Sequence, residues 1–192
     1  MTEKTTDPMV IVGSGHAGVA VAVGLRTGGW DGRIVLIDAQ HGMPYERPPL
    51  SKELLTPGAG DKTALLRKED YYQARGIERI TGHTVESIDP AARAVILADG
   101  SRLPFHRLVL ATGSRARELP VPGAQLDGVL ALRTYQDGLA IQRALVTGAN
   151  VVIIGAGFIG MEVAAAAVKN GCSVTVLEFQ DRVMKIGRAA CR

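Results

Sequence analysis

The chain has 192 residues, of which 46% are hydrophobic, so it is long enough for one ordinary domain or two small ones with a buried core. Its net charge of +3 is spread along the chain and aromatic residues make up only 4%, which argues against nucleic-acid binding through a basic face or base stacking. The 23 glycines favour an α/β protein with tight turns.

Cysteine usage and the N-terminal residues bear on the location of the protein. Only Cys172 and Cys191 are present, without metal-ligand spacing, so we expect no metal site and a reducing, cytoplasmic setting. Residues 1–8 are polar and do not resemble a signal peptide, and no apolar run approaches the ~20 residues that cross a bilayer. We therefore expect a soluble protein that does not act at a membrane.

Residues 9–38 have the pattern of a strand, a glycine turn, a helix and a second strand. Gly13, Gly15 and Gly18 give the spacing G-x-G-x-x-G. The first glycine permits a tight turn, the second lets the backbone approach a pyrophosphate, and the third lets the helix pack on the strand. Asp38 ends the second strand, where a carboxylate can accept a hydrogen bond from a ribose hydroxyl. The whole pattern predicts a dinucleotide site.

A proline-rich segment, His41 to Gly60, follows this first unit. Prolines such as Pro48 and Pro49 remove backbone donors, so the segment is predicted to be a stiff loop and not a central strand. Stiff, charged loops often hold ligands. The alternative is a surface connection whose Arg47 and Lys52 point into water.

The remaining elements of the chain are predicted from periodicity and turn signals. An antiparallel meander is expected where short alternating segments are separated by Asp-Pro and Asp-Gly turns, and a buried parallel strand is expected after it. The predicted helices cover Val19 to Arg26, Lys68 to Arg75, a segment opened by a capping box at Thr134 and Asp137 and ending at Leu145, and Met161 to Lys169. The predicted strands cover Ile77 to Ile80, Thr84 to Ile88, Ala94 to Leu97, the region before Leu103, Leu108 to Gly113, Val151 to Ile154 and Val174 to Leu177.

A second unit repeats the opening pattern. Gly155, Gly157 and Gly160 again have the spacing G-x-G-x-x-G between a strand and a helix, and Glu178 ends the next strand. This carboxylate favours a free ribose 2′-hydroxyl over a 2′-phosphate, whereas Arg182 nearby is suited to the phosphate.

Two such units predict an α/β fold with two Rossmann-like βαβ dinucleotide-binding units, an antiparallel meander in the first and an incomplete second unit. We expect the first domain over residues 1–115 and the second over residues 116–192, joined by a linker at Ser114 to Gly128. The alternative is one dinucleotide-binding domain built from both units, which the intervening meander and linker disfavour.

Taken together, these motifs resemble the FAD-dependent ferredoxin and rubredoxin reductases of the putidaredoxin reductase kind, within the pyridine nucleotide-disulfide oxidoreductase superfamily. The resemblance covers residues 9–184. It is carried by Tyr-Glu-Arg-Pro-Pro-Leu-Ser-Lys at 45–52, by Leu108 to Gly113, by Leu132-Arg133-Thr134 with Asp137, and by Gly155 to Glu162.

The resemblance implies that the first unit holds FAD and the second holds NADH. Hydride would pass from NADH to FAD, and single electrons would then pass to a ferredoxin or rubredoxin that feeds an oxygenase. Lys52 would lie beside the flavin ring and Glu162 would reach towards Lys52 near the site of hydride transfer, so these two are the candidate catalytic residues. The other implied cofactor-binding residues are Gly13, Gly15, Ala17, Gly18, Asp38, Arg47, Val85, Thr112, Gly113, Arg133, Gly155, Gly157, Ile159, Gly160 and Glu178.

The chain departs from the family pattern in three places. Members often carry the ribose-binding acid one position after Asp38, where this chain has Ala39. Family members are about twice as long, and residues 185–192 do not follow their pattern. We therefore interpret the chain as an inactive fragment with a non-native tail at residues 185–192; the alternative is a natural short variant.

Two other functions remain as alternatives. The first is an NADH oxidase or disulfide reductase, which needs a redox cysteine near the flavin, and residues 1–171 contain none. The second is a non-catalytic nucleotide-binding protein.

Overall fold

A computed structural model describes residues 6–60 and 64–184 of the chain. The described residues form two compact units. The first comprises residues 6–46 and 64–114, and the second comprises residues 47–60 and 115–184. None of the helices in these described residues is long and apolar enough to span a bilayer.

The first unit is built on a four-stranded parallel sheet with the order β3-β2-β1-β7. A separate antiparallel sheet has the order β4-β5-β6. The strands of the unit are β1 (Met9–Val12), β2 (Ile34–Asp38), β3 (Ile77–Thr81), β4 (Val85–Asp89), β5 (Ala94–Leu97), β6 (Arg102–Pro104) and β7 (Arg107–Leu110), and its helices are α1 (His16–Thr27) and α2 (Glu69–Ala74).

Alternation along the strands gives the parallel sheet two apolar faces, because successive side chains point to opposite sides. On one face, Ile11, Ile34 and Leu36 pack with residues of α1 and α2. On the other face, Val10 and Val35 pack with residues of the meander strand β5. Both faces are therefore covered, as expected for strands that are nearly continuous apolar runs.

The second unit contains α3 (Tyr135–Ala144), β8 (Asn150–Ile154), α4 (Phe158–Lys169) and β9 (Ser173–Leu177). The two strands are parallel, and among the described residues they pair only with each other. Its core consists of Leu55, Ile141, Leu145, Ala166, Ala167 and Cys172. The sheet face that carries Val152 and Ile154, each 60% exposed, lies on the outside of this core.

Most predicted elements are confirmed, including the meander and the capping box, in which Thr134 and Asp137 exchange hydrogen bonds with each other's backbone. The separate β8-β9 sheet also contradicts the alternative of one domain built from both units. The predicted starts of α1 and α4, at Val19 and Met161, are wrong by three residues.

Both helices begin earlier because the second glycine of each motif is the N-cap. Gly15 and Gly157 have extended backbones, and the residues that follow them are already helical. The glycine motif therefore supplies the first turn of each helix, including its unbonded N–H groups.

Two other predictions need correction. The strand expected over Leu108 to Gly113 ends at Leu110, because its partner strand ends at the paired Val12 and offers no further ladder. It is also not buried as expected, since among the described residues it pairs on one side only, and Leu110 is 60% exposed. The proline-rich loop contains two short 3₁₀ helices, Pro48–Ser51 and Glu53–Leu55, since proline at the start of a helix needs no donor there.

Candidate functional site

The first glycine loop connects β1 to α1. Gly13 has φ +102°, and a Cβ added there would lie 2.2 Å from the carbonyl oxygen of Ala111 and 3.2 Å from the Cα of Thr112. A Cβ on Gly18 would lie 1.8 Å from the carbonyl oxygen of Gly13. These two glycines are therefore required by the packing of the loop itself, and they bring Gly13 beside the candidate Thr112.

In the second glycine loop, between β8 and α4, one glycine is required by close packing and another faces open space. A Cβ on Gly160 would lie 2.1 Å from the carbonyl oxygen of Gly155, so this glycine lets the helix approach the loop. Gly157 has an ordinary backbone (φ −76°), and a Cβ there would meet no atom within 4 Å. Nothing in the described chain requires glycine at position 157, which leaves room for a ligand as the physical reason for it.

A carboxylate closes each loop in the same way. Asp38 accepts hydrogen bonds from the Ser14 N–H (2.9 Å), the Ser14 hydroxyl and the Gln40 N–H (2.8 Å). Glu178 accepts from the Ala156 N–H (2.7 Å) and the Gln180 N–H (2.8 Å). In both loops one donor is the N–H of the residue between the first two glycines, and another is the N–H two residues after the acid.

These bonds have consequences for the charge of Glu178. Backbone hydrogen bonds from Gln180 and Ala156 lower the pKa of Glu178, so its carboxylate is ionised at neutral pH. An ionised carboxylate has about four acceptor positions, so two backbone bonds leave positions for a ribose hydroxyl. The side chain is also on the surface, where a ligand can reach it.

The proline-rich segment packs within the second unit and brings together four of the predicted site residues. Arg47 donates to the carbonyl oxygen of Arg133 at 2.7 Å. The Lys52 Nζ lies 3.6 Å from Oε1 of Glu162. The alternative in which Arg47 and Lys52 only point into water is therefore wrong.

The position of Glu162 in α4 excludes the helix dipole as the reason for an acidic residue there. An acidic residue in the first turn of a helix is stabilised by the helix dipole. Glu162 is the fifth residue of α4, and the first turn contains no acidic residue. Its carboxylate is instead held by side chains of the proline-rich segment.

The other predicted residues are placed without side-chain contacts that bear on their roles. Val85 begins β4 and pairs with Leu97. Gly113 has φ +70° just after β7. Ala17 is exposed in the first turn of α1, and Ile159, 56% exposed, occupies the same position in α4.

The sequence analysis missed two buried polar residues that contact candidate site residues, and both are serines. Ser14 and Ser51 are the buried polar residues of the described part of the chain, 8% and 6% exposed. The hydroxyl of Ser14 donates to Asp38, and that of Ser51 donates to Glu162. Ser51 is adjacent to Lys52 in the sequence, but its partner is 111 residues away, so only the three-dimensional structure reveals the bond.

Two glycine loops, each opening a helix and each closed by a carboxylate, define a protein of the dinucleotide-binding class. Residues 7–191 match the family model described as pyridine nucleotide-disulphide oxidoreductase, and the chain belongs to this family.

The chain is similar to particular reductases of this family. It is 45% identical to rhodocoxin reductase of Rhodococcus erythropolis over 176 residues, which are 92% of this chain and 41% of that protein. It is 43% identical to putidaredoxin reductase CamA of Pseudomonas putida over 185 residues, 95% of this chain and 44% of that protein. The chain thus spans less than half the length of these relatives.

Solved structures give the same result for the fold. The ferredoxin reductase for the CYP199A2 system from Rhodopseudomonas palustris matches with a TM-score of 0.89 and 41% identity, over 96% of this chain and 46% of that one. The covalent putidaredoxin reductase–putidaredoxin complex matches with a TM-score of 0.86 and 42% identity, over 94% of this chain and 44% of that one.

Proposed function

We propose that this chain is the nucleotide-binding part of an NADH-dependent flavoprotein reductase that delivers single electrons to a ferredoxin or rubredoxin feeding an oxygenase. The observation that carries the proposal is the pair of glycine loops with the same carboxylate closure within one chain. The names of the relatives, among them rubredoxin-NAD(+) reductase and a ferredoxin--NAD(+) reductase component of a dioxygenase system, support it.

FAD is assigned to the first unit and NAD to the second, with the domain division proposed at residues 1–115 and 116–192. FAD, when bound, accepts hydride from NADH and passes electrons on one at a time. The helix N-terminus at Gly15 offers backbone N–H groups to its pyrophosphate, and Gly15 has no side chain to occupy that space. The exposed first-turn residue Ala17 continues the same surface, and the buried Gly18 behind it lets the helix pack on the loop that would hold the pyrophosphate.

The second loop fits the pyrophosphate of NADH by the same physical argument. The open space at Gly157 lets the dinucleotide approach the backbone, and the dipole of α4 favours its negative charge. Glu178, held ionised by its backbone donors, accepts from a ribose 2′-hydroxyl and repels a 2′-phosphate. We therefore propose NADH as the preferred donor.

Lys52 and Glu162 are proposed to serve hydride transfer as a pair. The carboxylate, with Oε1 3.6 Å from the Nζ, holds the ammonium in place. A fixed ammonium stabilises the negative charge that develops as hydride arrives. The side chains of Lys52 and Glu162 are 50% and 33% exposed, so a reacting partner can reach them.

Disulfide chemistry is disfavoured by the cysteine positions. Cys172 is buried, and its Sγ contacts the carbonyl oxygen of Val146 at 3.3 Å. Cys191 lies outside the described residues, as does the predicted non-native tail at 185–192. A buried thiol with a backbone partner has a packing role, which also fits the proposed cytoplasmic location.

The test uses a longer protein in which residues 1–184 are followed by the remaining part of a relative such as rhodocoxin reductase. We expect it to bind FAD and to reduce cytochrome c with NADH only when a ferredoxin is added. Oxygen consumption without a carrier would indicate an NADH oxidase, and NADH binding without bound flavin would indicate a non-catalytic binding protein.

A further inference from the structure

Ser51 is a buried hydroxyl placed between two residues of the proposed site. It ends the 3₁₀ helix Pro48–Ser51, and only 6% of it is exposed. Its Oγ donates a hydrogen bond to Oε2 of Glu162, and the next residue, Lys52, has its Nζ 3.6 Å from the other carboxylate oxygen. One carboxylate is thus shared by two consecutive residues, with one oxygen for each.

The ion pair alone does not account for this arrangement. The side chain of Lys52 is half exposed, and an exposed lysine on a flexible stem gains little from a partner in water. The carboxylate therefore needs another contact to keep Oε1 directed at Lys52. The buried hydroxyl supplies it, because a hydroxyl that loses its acceptor inside the protein is strongly disfavoured.

The backbone around Ser51 fixes the position of that hydroxyl. Pro48 and Pro49 begin the 3₁₀ helix with restricted φ, and the buried Leu50 packs beside Ser51 in the same turn. The N–H of Lys52 donates to the carbonyl oxygen of Pro49 at 3.1 Å. The backbone that carries the Ser51 hydroxyl is therefore fixed by its own segment.

We propose that Ser51 is a positioning residue, which orients the carboxylate of Glu162 and through it holds the ammonium of Lys52 in place. The inference deepens the proposed function, since the use of an oriented Lys52 rests on hydride transfer at this site. The arrangement of the three side chains is nevertheless a property of the chain itself and can be measured without any cofactor.

The test is nuclear magnetic resonance of the Lys52 ammonium in the purified 192-residue chain, at low temperature and mildly acidic pH. The measured quantity is the exchange rate of the Nζ protons with water, with the signal assigned by its loss in Lys52→Arg. In Ser51→Ala, we expect this exchange rate to rise about threefold to tenfold, the factor that corresponds to the free energy of one net hydrogen bond. Glu162→Gln should raise the rate at least as much.

Two further variants separate positioning from general stability. Ser51→Thr retains a hydroxyl and should restore slow exchange. Ser14→Ala removes the other buried serine hydroxyl, whose partner is Asp38, and should leave the Lys52 signal unchanged. Urea unfolding of each variant shows whether the folded state is being measured.

An unchanged exchange rate in a folded Ser51→Ala variant would overturn the inference, whatever the protein catalyses. The same holds if Ser51→Thr, folded, exchanges as fast as Ser51→Ala. If exchange responds as expected but NADH never reduces bound flavin, the positioning role stands and the proposed function fails. The two ideas therefore fail separately.

Discussion

The glycines of the second loop provide a matched pair of substitutions that separates folding from binding. In Gly157→Ala, the new Cβ meets no atom within 4 Å and the backbone is ordinary, so it introduces no clash. Loss of a glycine N-cap and the lower entropy of the unfolded chain act in opposite directions, so we expect the free energy of unfolding to change by less than about 0.5 kcal/mol.

Gly160→Ala has the opposite profile. Its Cβ would lie 2.1 Å from the carbonyl oxygen of Gly155. Because this oxygen belongs to the backbone, no side-chain rotation can relieve the clash. We expect this overpacking to lower the free energy of unfolding by about 2 kcal/mol. Gly24→Ala, in the interior of α1 with no atom within 4 Å of the new Cβ, is the control and should stabilise by about 0.5 to 1 kcal/mol.

The assay combines urea unfolding with titration of NADH against each variant. A methyl group in the space proposed for the pyrophosphate should weaken NADH binding at least about tenfold in Gly157→Ala, which corresponds to about 1.4 kcal/mol. Gly24→Ala should bind as the unsubstituted chain does. If Gly157→Ala binds NADH with unchanged affinity, the space at this glycine is not where a dinucleotide approaches, and the reasoning is wrong.

Three other substitutions test separate contacts. Arg26→Lys should lower the free energy of unfolding by about 2 kcal/mol, because the Arg26 guanidinium donates to four loop carbonyls, measured by urea unfolding. Arg33→Ala should lower it by about 0.5 kcal/mol at neutral pH, since Arg33 and Glu78 form an exposed two-point ion pair. The hydrogen bond from Arg33 lowers the pKa of Glu78 below its usual value of 4.5. The ion pair therefore contributes its full stability above pH 4.5, and this contribution should disappear as the pH falls below 4.5 and Glu78 becomes protonated. Glu178→Gln removes the charge while keeping the shape, so NADPH should bind more nearly as tightly as NADH. The measured quantity is the ratio of the two dissociation constants, and an unchanged ratio would contradict the proposed role of Glu178.

The parts of the fold that could be predicted from the sequence depend on local patterns. Apolar runs identified the parallel strands, and Asp-Pro and Asp-Gly turns identified the meander between β4 and β6. The capping box at Thr134 was equally local, since its two partners are three residues apart. Patterns within a few residues carry this information because the physical cause acts within one turn or one strand.

Contacts between distant segments could not be predicted in the same way. The sequence suggested a pair between Lys52 and Glu162 only through a family resemblance, and it did not suggest Ser51 at all. The hydrogen bonds from backbone N–H groups to Asp38 and Glu178 were also not predicted, because an acid at the end of a strand was interpreted only as a ribose ligand. Which donors reach a carboxylate depends on how a loop folds back, and hydrophobic periodicity contains no such information.

The most direct test of the proposed function is anaerobic mixing of the flavin-loaded longer protein, residues 1–184 followed by the remainder of a relative, with NADH. The measured quantity is the loss of flavin absorbance with time. We expect NADH to reduce the flavin, NADPH to do so more slowly, and oxidised ferredoxin to restore the absorbance. A protein that retains stoichiometric flavin but shows no reduction by either nucleotide would contradict it.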